Sequence, residues 1–129
     1  MTASPTNPMA VTTAWEAWTA LWNGELQLAA DLVTEDCTVR FGAAVPGGDG
    51  LRGPAELARF IADFRALRPG LRYRLDGPAI TDGTEAAIRW SARSGTGTPK
   101  SGIDVLRLTP DGRIAEVWSV TGERTFPTG

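Results

Sequence analysis

The second half of the chain alternates apolar and polar side chains, a pattern that predicts β-strands. The alternation covers residues 71–76, 85–93, 103–108 and 114–120. The last two runs are separated by Thr-Pro-Asp-Gly. Asp-Gly between apolar runs is a strong hairpin signal, because glycine accepts the positive φ that the turn requires. We therefore expect four strands joined by short turns.

The first half shows the spacing of amphipathic helices instead. Residues 10–23 carry Trp15, Trp18 and Trp22 along one stripe and end at Asn-Gly, and residues 25–33 predict a short second helix. The tryptophan stripe has two interpretations. It packs into the core, which is the commoner role of such a stripe, or part of it forms the wall of a ligand cavity.

A strand and a third helix follow, separated by a glycine-rich segment. The strand is predicted over residues 37–41, and the helix over residues 54–68, where Pro54 suits the first helical position. The segment between them, residues 42–53, contains so many glycines that we expect no regular structure there. It is either a lid beside a cavity or a surface loop without a role. It lacks the Gly-Lys-Ser/Thr ending of a phosphate-binding loop.

The order of these elements favours an α+β fold in which three N-terminal helices pack on one face of a mainly antiparallel sheet. If the sheet curves around the helices, one end of the fold is left as an apolar pocket. The length of 129 residues suits a single domain. We place this domain at residues 10–121, between a disordered tail of residues 1–9 and a C-terminal tail of residues 122–129.

Composition removes several classes of chemistry. The chain has no histidine, which excludes Ser-His-Asp, Cys-His and zinc-protease sites, and its lone cysteine, Cys37, supports neither a disulfide nor a metal cluster. We expect no metal and no cofactor. The net charge of −2 indicates no nucleic-acid partner, and no apolar run reaches the roughly 18 residues of a membrane span. We expect a cytoplasmic protein without a membrane partner.

Asp104 is the residue that the pattern singles out. It alternates on one strand face with the apolar Leu106 and Leu108, so its carboxyl either points outward into solvent or lies in an apolar space. In the second case the carboxyl is costly to ionise and tends to keep a proton. The neighbouring strand raises a related question, because either Arg89 or Trp90 faces inward, and the alternation favours Trp90.

Four short segments, in this order and spacing, resemble the nuclear transport factor 2-like superfamily, in particular its SnoaL-like and ketosteroid-isomerase-like branches. They are Trp-Asn-Gly-Glu-Leu at residues 22–26, Glu-Asp-Cys-Thr-Val at residues 35–39, Leu-Arg-Gly-Pro-Ala at residues 51–55 and the closing hairpin. The resemblance implies a cone-shaped domain with a deep apolar pocket, and commonly a homodimer formed through the outer sheet face. In this chain Trp118 and Val120 would lie on that face.

The resemblance also assigns a role to Asp104. It falls on the isomerase's aspartic acid that donates a hydrogen bond to the developing oxyanion. The isomerase's tyrosine donor falls on Ala17 and its general-base aspartate on Phe41. The His-Trp-Asp of many SnoaL-like members falls on Val117, Trp118 and Ser119. Of these polar groups the chain keeps Asp104.

Two hypotheses follow. In the first, the protein is a cofactor-independent enzyme that cyclises, isomerises or opens an epoxide in an apolar polycyclic or polyketide-like molecule, with Asp104 as a buried acid or base. In the second, it is a non-catalytic module that binds an apolar ligand or serves dimerisation. The residues expected to bind the small apolar molecule are Trp18, Phe41, Phe60, Phe64, Tyr73, Trp90, Leu106, Val117 and Ser119.

Overall fold

The computed structural model describes residues 8–95 and 97–127, which form three helices and seven strands. The helices are α1 (Pro8–Trp22), α2 (Ala29–Leu32, preceded by a 3₁₀ turn at Leu26–Leu28) and α3 (Gly53–Ala66). The strands are β1 (Val33–Phe41), β2 (Leu51–Arg52), β3 (Arg72–Leu75), β4 (Ile80–Thr81), β5 (Glu85–Arg93), β6 (Lys100–Leu108) and β7 (Ile114–Thr121).

The strands form one mixed, curved and open sheet in the order β2-β1-β7-β6-β5-β3, with β4 also paired to β5. The predicted antiparallel arrangement of the second half is confirmed, since β3 pairs antiparallel with β5, β5 with β6, and β6 with β7. The first strand, β1, lies parallel to the last strand, β7, and this pair makes the sheet mixed. The α+β prediction is therefore confirmed.

The helices cover the inner face of the sheet and enclose the core between them. Side chains on β6 alternate as the sequence predicted: Asp104 and Leu106 are buried, while Ile103 and Arg107 are exposed. On α1 the whole tryptophan stripe is buried. The curvature of the sheet and the position of α1 together decide which inward side chains pack in the core and which reach a pocket.

Asn23, which follows α1 directly, fixes this helix to β3. Its side-chain amide donates to the backbone oxygen of Tyr73 at 3.0 Å, and its side-chain oxygen accepts from the Tyr73 N–H at 2.7 Å. Asn23 therefore does more than end the helix. It holds β3, and with it the Tyr73 ring, at a fixed distance from the tryptophans of α1.

The glycine-rich segment contains regular structure that the prediction missed. Leu51 and Arg52 form β2, which pairs antiparallel with β1 through Val39 and Thr38. The reason is the buried Leu51 side chain, which is apolar enough to hold a short strand in place. Gly53 then starts α3 with a φ of 81°, where a Cβ atom would lie 2.6 Å from the Glu35 oxygen.

The predicted boundaries also change at the first two helices. Pro8 and Met9, which the prediction placed in a disordered tail, begin α1, because proline is well tolerated at a first helical position. Residues 1–7 of that tail lie outside the described residues. The second helix is shorter than predicted, since Val33 already belongs to β1.

Residues 122–127 form neither helix nor strand but are tied to the start of β6. The Ser101 N–H donates to the backbone oxygen of Arg124 at 3.0 Å, and the Ser101 hydroxyl accepts from the Phe126 N–H at 2.9 Å. The last two residues of the predicted tail, 128–129, lie outside the described part of the chain. None of the described helices is long and apolar enough to cross a membrane.

Candidate functional site

An aromatic pocket lies between α1 and the curved sheet. Its cavity volume is about 70 Å³, and the empty space that also includes open solvent is about 630 Å³. The residues that line it are Trp15, Trp18, Thr19, Trp22, Phe41, Val45, Phe64, Tyr73, Leu75, Trp90, Asp104, Ser119 and Thr121. Seven of these thirteen are aromatic, and the hydroxyl groups and one carboxyl supply its polarity.

Asp104 is the charged residue of this pocket, and two tryptophans hold it. The indole N–H of Trp18 donates to its Oδ2 at 3.0 Å, and the indole N–H of Trp90 donates to its Oδ1 at 3.0 Å. Ser119, directly opposite Asp104 in the β6–β7 register, forms a third side-chain hydrogen bond with it. The carboxyl is therefore oriented from α1, β5 and β7 at once.

Burial raises the pKa of the Asp104 carboxyl above its ordinary value of 3.8, since only 6% of the residue is exposed. The hydrogen bonds from Ser119, Trp18 and Trp90 act in the opposite direction, because they stabilise the ionised form. Burial is the larger effect. The apolar surroundings of Asp104 thus favour the protonated acid. Its three hydrogen-bond partners lower the free-energy cost of ionising it.

Tyr73 on β3 is the one tyrosine of the chain, and it lines the same pocket as the Asp104 carboxyl. Its ring contacts that of Trp90 edge to face, with centroids 5.4 Å apart. Burial and the charge of Asp104 raise the pKa of the Tyr73 hydroxyl, while Arg68 and Arg65 lower it by less. The phenol is therefore neutral at physiological pH and available as a hydrogen-bond donor to a bound molecule.

Most of the residues predicted from the sequence lie around this one pocket. Those that line it are Asp104, Trp18, Phe41, Phe64, Tyr73, Trp90 and Ser119. The interpretation of Trp90 as inward and Arg89 as outward also agrees with the burial of the tryptophan and the exposure of the arginine.

Three predicted wall residues lie elsewhere. Leu106 and Val117 face inward but are fully buried in the core beneath the pocket-lining residues. Phe60 lines a neighbouring cleft between α3 and the glycine-rich segment. An inward direction on a strand is thus not enough to reach the pocket, because the helices fill most of the space over the sheet.

The prediction omitted Trp15 and Trp22, although the helical stripe contained the signal for both. Both indole rings line the pocket, and their N–H groups are buried and find no acceptor in the described part of the chain. The Trp22 ring meets the rings of Phe41, Phe64 and other aromatic residues edge to face. The tryptophan stripe therefore packs in the core and forms the wall of a cavity at the same time.

The pocket borders the glycine-rich segment through Val45. Val45 from this segment and Phe64 from α3 line both the pocket and the neighbouring cleft, so these two side chains separate the two spaces. The guanidinium of Arg68 stacks on Phe64, 3.6 Å from the ring centroid. Val45 thus places the glycine-rich segment at the edge of the pocket. The action of this segment as a lid stays a prediction.

Groups that bind metals are not gathered at this site. Among the described residues no set of three His, Cys, Asp or Glu side chains is arranged to hold a metal ion. The buried Cys37 has a thiol whose pKa burial raises to about 11, so it is protonated and a poor ligand.

Comparison with solved structures gives the same fold in bacterial proteins of several named activities. An Agrobacterium tumefaciens protein of the SnoaL-like family, provisionally assigned as an isomerase, is 23% identical over 88% of this chain and 98% of its own, with a TM-score of 0.75. A provisionally assigned polyketide cyclase of Acidithiobacillus ferrooxidans is 17% identical over 87% of each chain, with a TM-score of 0.70. An LEH-like epoxide hydrolase of M. tuberculosis is 16% identical over 89% of this chain and 84% of its own, with a TM-score of 0.66.

At these identities the similarity shows the fold alone. No protein of curated function matches the chain. The sequence profile of the SnoaL-like domain, however, matches residues 13–117, which include most of α1, Asp104 and the pocket-lining residues other than Ser119 and Thr121. The chain therefore belongs to the SnoaL-like domain family, within the nuclear transport factor 2-like superfamily.

Proposed function

We propose that the protein is a cofactor-independent enzyme that acts on an apolar polycyclic or polyketide-like small molecule, with Asp104 as the buried acid or base. The observation that carries the proposal is the position of this carboxyl in an aromatic pocket, held through both oxygens by indole N–H groups. A buried carboxyl with a raised pKa keeps its proton to a higher pH than an exposed one and is suited to act as an acid.

The hydrogen bonds explain how the Asp104 carboxyl could act first as an acid and then as a base. Burial favours the protonated form, which can donate to an oxygen of the substrate. After the proton has left, Trp18, Trp90 and Ser119 stabilise the carboxylate until it takes a proton back. The carboxyl is thereby restored without a second residue.

This proton balance limits the reaction. An isomerisation moves a proton from one atom of the substrate to another, and an intramolecular cyclisation can return the proton that it removes. Both need one shuttling carboxyl and a pocket that holds the substrate in a reactive conformation. Epoxide opening requires a nucleophile besides the acid, either water or a group of the substrate. The names of the structural relatives include all three reaction types.

A second candidate function is the binding of an apolar ligand without catalysis. The observation that favours it is Phe41, which lines the pocket at the position where the isomerases have their general base. Among the described lining residues, no side chain other than those of Asp104 and Tyr73 is titratable. In this case the carboxyl would orient the ligand through a hydrogen bond.

We also propose that the protein forms a homodimer through the outer face of the sheet. Ile103 and Val120 are cross-strand partners there and are 42% and 57% exposed. Trp118 lies beside them under the guanidinium of Arg40, 5.6 Å from the ring centroid. Exposed apolar side chains in contact with each other on a sheet face are typical of an interface.

The experiment that tests the enzymatic proposal compares metabolite extracts treated with the wild type and with Asp104→Asn. Mass spectrometry should show a compound that the wild type consumes and the variant does not, with Asp31→Asn as a control that removes one exposed carboxylate outside the pocket. A compound that both variants and the wild type bind but leave unchanged would favour the non-catalytic function.

A further inference from the structure

The charge distribution of the aromatic pocket indicates the charge of its ligand. Among the described residues, no lysine or arginine lines this pocket, and the chain has no histidine. The polar groups that remain are the Asp104 carboxyl, the hydroxyls of Thr19, Tyr73, Ser119 and Thr121, and the indole N–H groups of Trp15 and Trp22. The only formal charge that the lining can carry at neutral pH is therefore negative.

The aromatic walls act in the same direction. The face of an aromatic ring carries negative potential and attracts a cation within about 6 Å of the ring centre. Four tryptophans, two phenylalanines and a tyrosine line the pocket. A positive charge inside it gains from the faces of these rings. An anion is repelled by the ring faces and by the carboxylate, and it gains from the hydroxyl and indole N–H donors alone.

Asp104 retains hydrogen-bonding capacity for such a ligand. A carboxylate offers about four lone-pair sites, and three are engaged by Trp18, Trp90 and Ser119. Indole N–H groups only donate, so both tryptophans favour the ionised carboxylate. An ammonium group could donate to the remaining site and would stabilise the same ionised form.

The nearest positive groups of the protein are held outside the pocket. Arg65 donates to two backbone oxygens, one of them that of Trp22 at 2.9 Å, and Arg68 stacks on the Phe64 ring. Both charges reach Tyr73 strongly enough to lower the pKa of its hydroxyl. The two guanidinium groups reduce the attraction of the pocket for a cation. Neither arginine lines the pocket beside Asp104.

We infer that this pocket selects apolar molecules that carry one protonated amine over neutral or anionic molecules of the same shape. The inference rests on the proposed function, because it assigns a charge to the ligand of the same site. An amine in the pocket would place its ammonium group at Asp104 and its apolar body against the aromatic walls. The carboxylate would compensate the loss of water around the ammonium group.

Three small probes of nearly equal shape test this selection. Cyclohexylmethylamine, cyclohexylmethanol and cyclohexanecarboxylate differ in charge and, being non-aromatic, leave tryptophan fluorescence free as the readout. We expect the amine to bind the wild type at least about tenfold more tightly than the alcohol, and the carboxylate to bind most weakly. The preference for the amine should vanish in Asp104→Asn and persist in Asp31→Asn.

Each result has a distinct meaning. Equal or tighter binding of the alcohol would overturn the inferred charge and leave the proposed apolar-ligand site intact. A failure of all three probes to bind would overturn both, because the pocket would then not take small apolar molecules. If Asp104→Asn does not fold, the order of the three affinities in the wild type still decides between these outcomes.

Discussion

The indole N–H of Trp18 donates to Oδ2 of Asp104 at 3.0 Å, across 86 residues of sequence. This contact joins α1 to the β6–β7 hairpin at Asp104, the one carboxyl among the described residues that line the pocket. Trp90 completes the arrangement from β5, so each carboxylate oxygen has its own indole donor. The fold and the candidate chemistry therefore depend on the same contacts.

Replacement of Trp18 by phenylalanine should raise the pKa of Asp104 further, because it removes a donor that stabilises the carboxylate. The loss of the buried hydrogen bond should also lower the free energy of unfolding by about 1–3 kcal/mol. Urea denaturation measures the second effect and carbon NMR of the Asp104 carboxyl measures the first. Trp118→Phe, on the outer sheet face, is the matched control. Equal pKa values of Asp104 in the two variants would contradict the role of Trp18.

Asp104 should make stability fall with rising pH, which is the reverse of the usual effect of a carboxyl. Its pKa is raised in the folded protein, so between 3.8 and the folded value the folded state binds more protons than the unfolded chain. The contribution is complete below 3.8 and is lost as the pH passes the folded pKa. The wild type should therefore lose stability relative to Asp104→Asn over this window. A difference that does not change with pH would contradict the raised pKa.

Asp82 should show the opposite behaviour. It accepts hydrogen bonds from the N–H groups of Glu85 and Thr84 and from the Thr84 hydroxyl, which together lower its pKa to about 2. Its contribution to stability is present above 3.8 and is lost as the pH falls through about 2. Carbon NMR should follow the titration of Asp82 near 2, and a midpoint near 3.8 would show that the turn between β4 and β5 does not bind the carboxylate.

Gly102→Ala should displace Trp90 from Asp104. A Cβ atom at this position would lie 2.1 Å from the Trp90 ring and 2.6 Å from the Val120 oxygen, so the ring must move. We expect a loss of about 1–3 kcal/mol in stability and a changed indole N–H signal of Trp90. Gly122→Ala is the control, since its nearest neighbour, the Ser101 oxygen, would be 3.2 Å away. An unchanged Trp90 signal in Gly102→Ala would contradict this packing.

The proposed homodimer predicts that charge on the outer sheet face dissociates the protein. Ile103→Lys combined with Val120→Lys should give a monomer in sedimentation experiments at micromolar concentration, because two lysines would be buried against their symmetry copies. Leu67→Lys, at an exposed leucine after α3, should leave the dimer intact. A monomeric wild type would refute the proposal directly.

Local patterns of the sequence predicted much of this architecture. Alternation put Asp104 on one strand face with Leu106 and Leu108, left open whether that face was buried, and favoured Trp90 as inward. The Asp-Gly turn predicted the β6–β7 hairpin. These features depend on neighbouring residues. The parallel pairing of β1 with β7 and the burial of Leu51 in β2 were not predicted, because they depend on contacts between distant parts of the chain.

The candidate site was predicted less completely than the fold. Alternation shows that Leu106 and Asp104 share a face, but it does not show that α1 covers the leucine and leaves the carboxyl in a pocket. The indole donors of Asp104 were likewise not predicted, because the distance from a helix to a strand depends on the packed core. Trp15 and Trp22 belonged to a recognised stripe whose role depended on the same packing.

The protonation of Asp104 is the property on which both the proposed acid or base role and the inferred amine selection depend. Carbon NMR of aspartate-labelled protein, with Asp104→Asn used to assign the signal, gives the pKa of this carboxyl with and without cyclohexylmethylamine. We expect a pKa above 3.8 in the free protein and a clear change when the amine is added. A carboxyl that titrates at or below 3.8 and does not respond to the amine or to its neutral analogue would contradict this expectation.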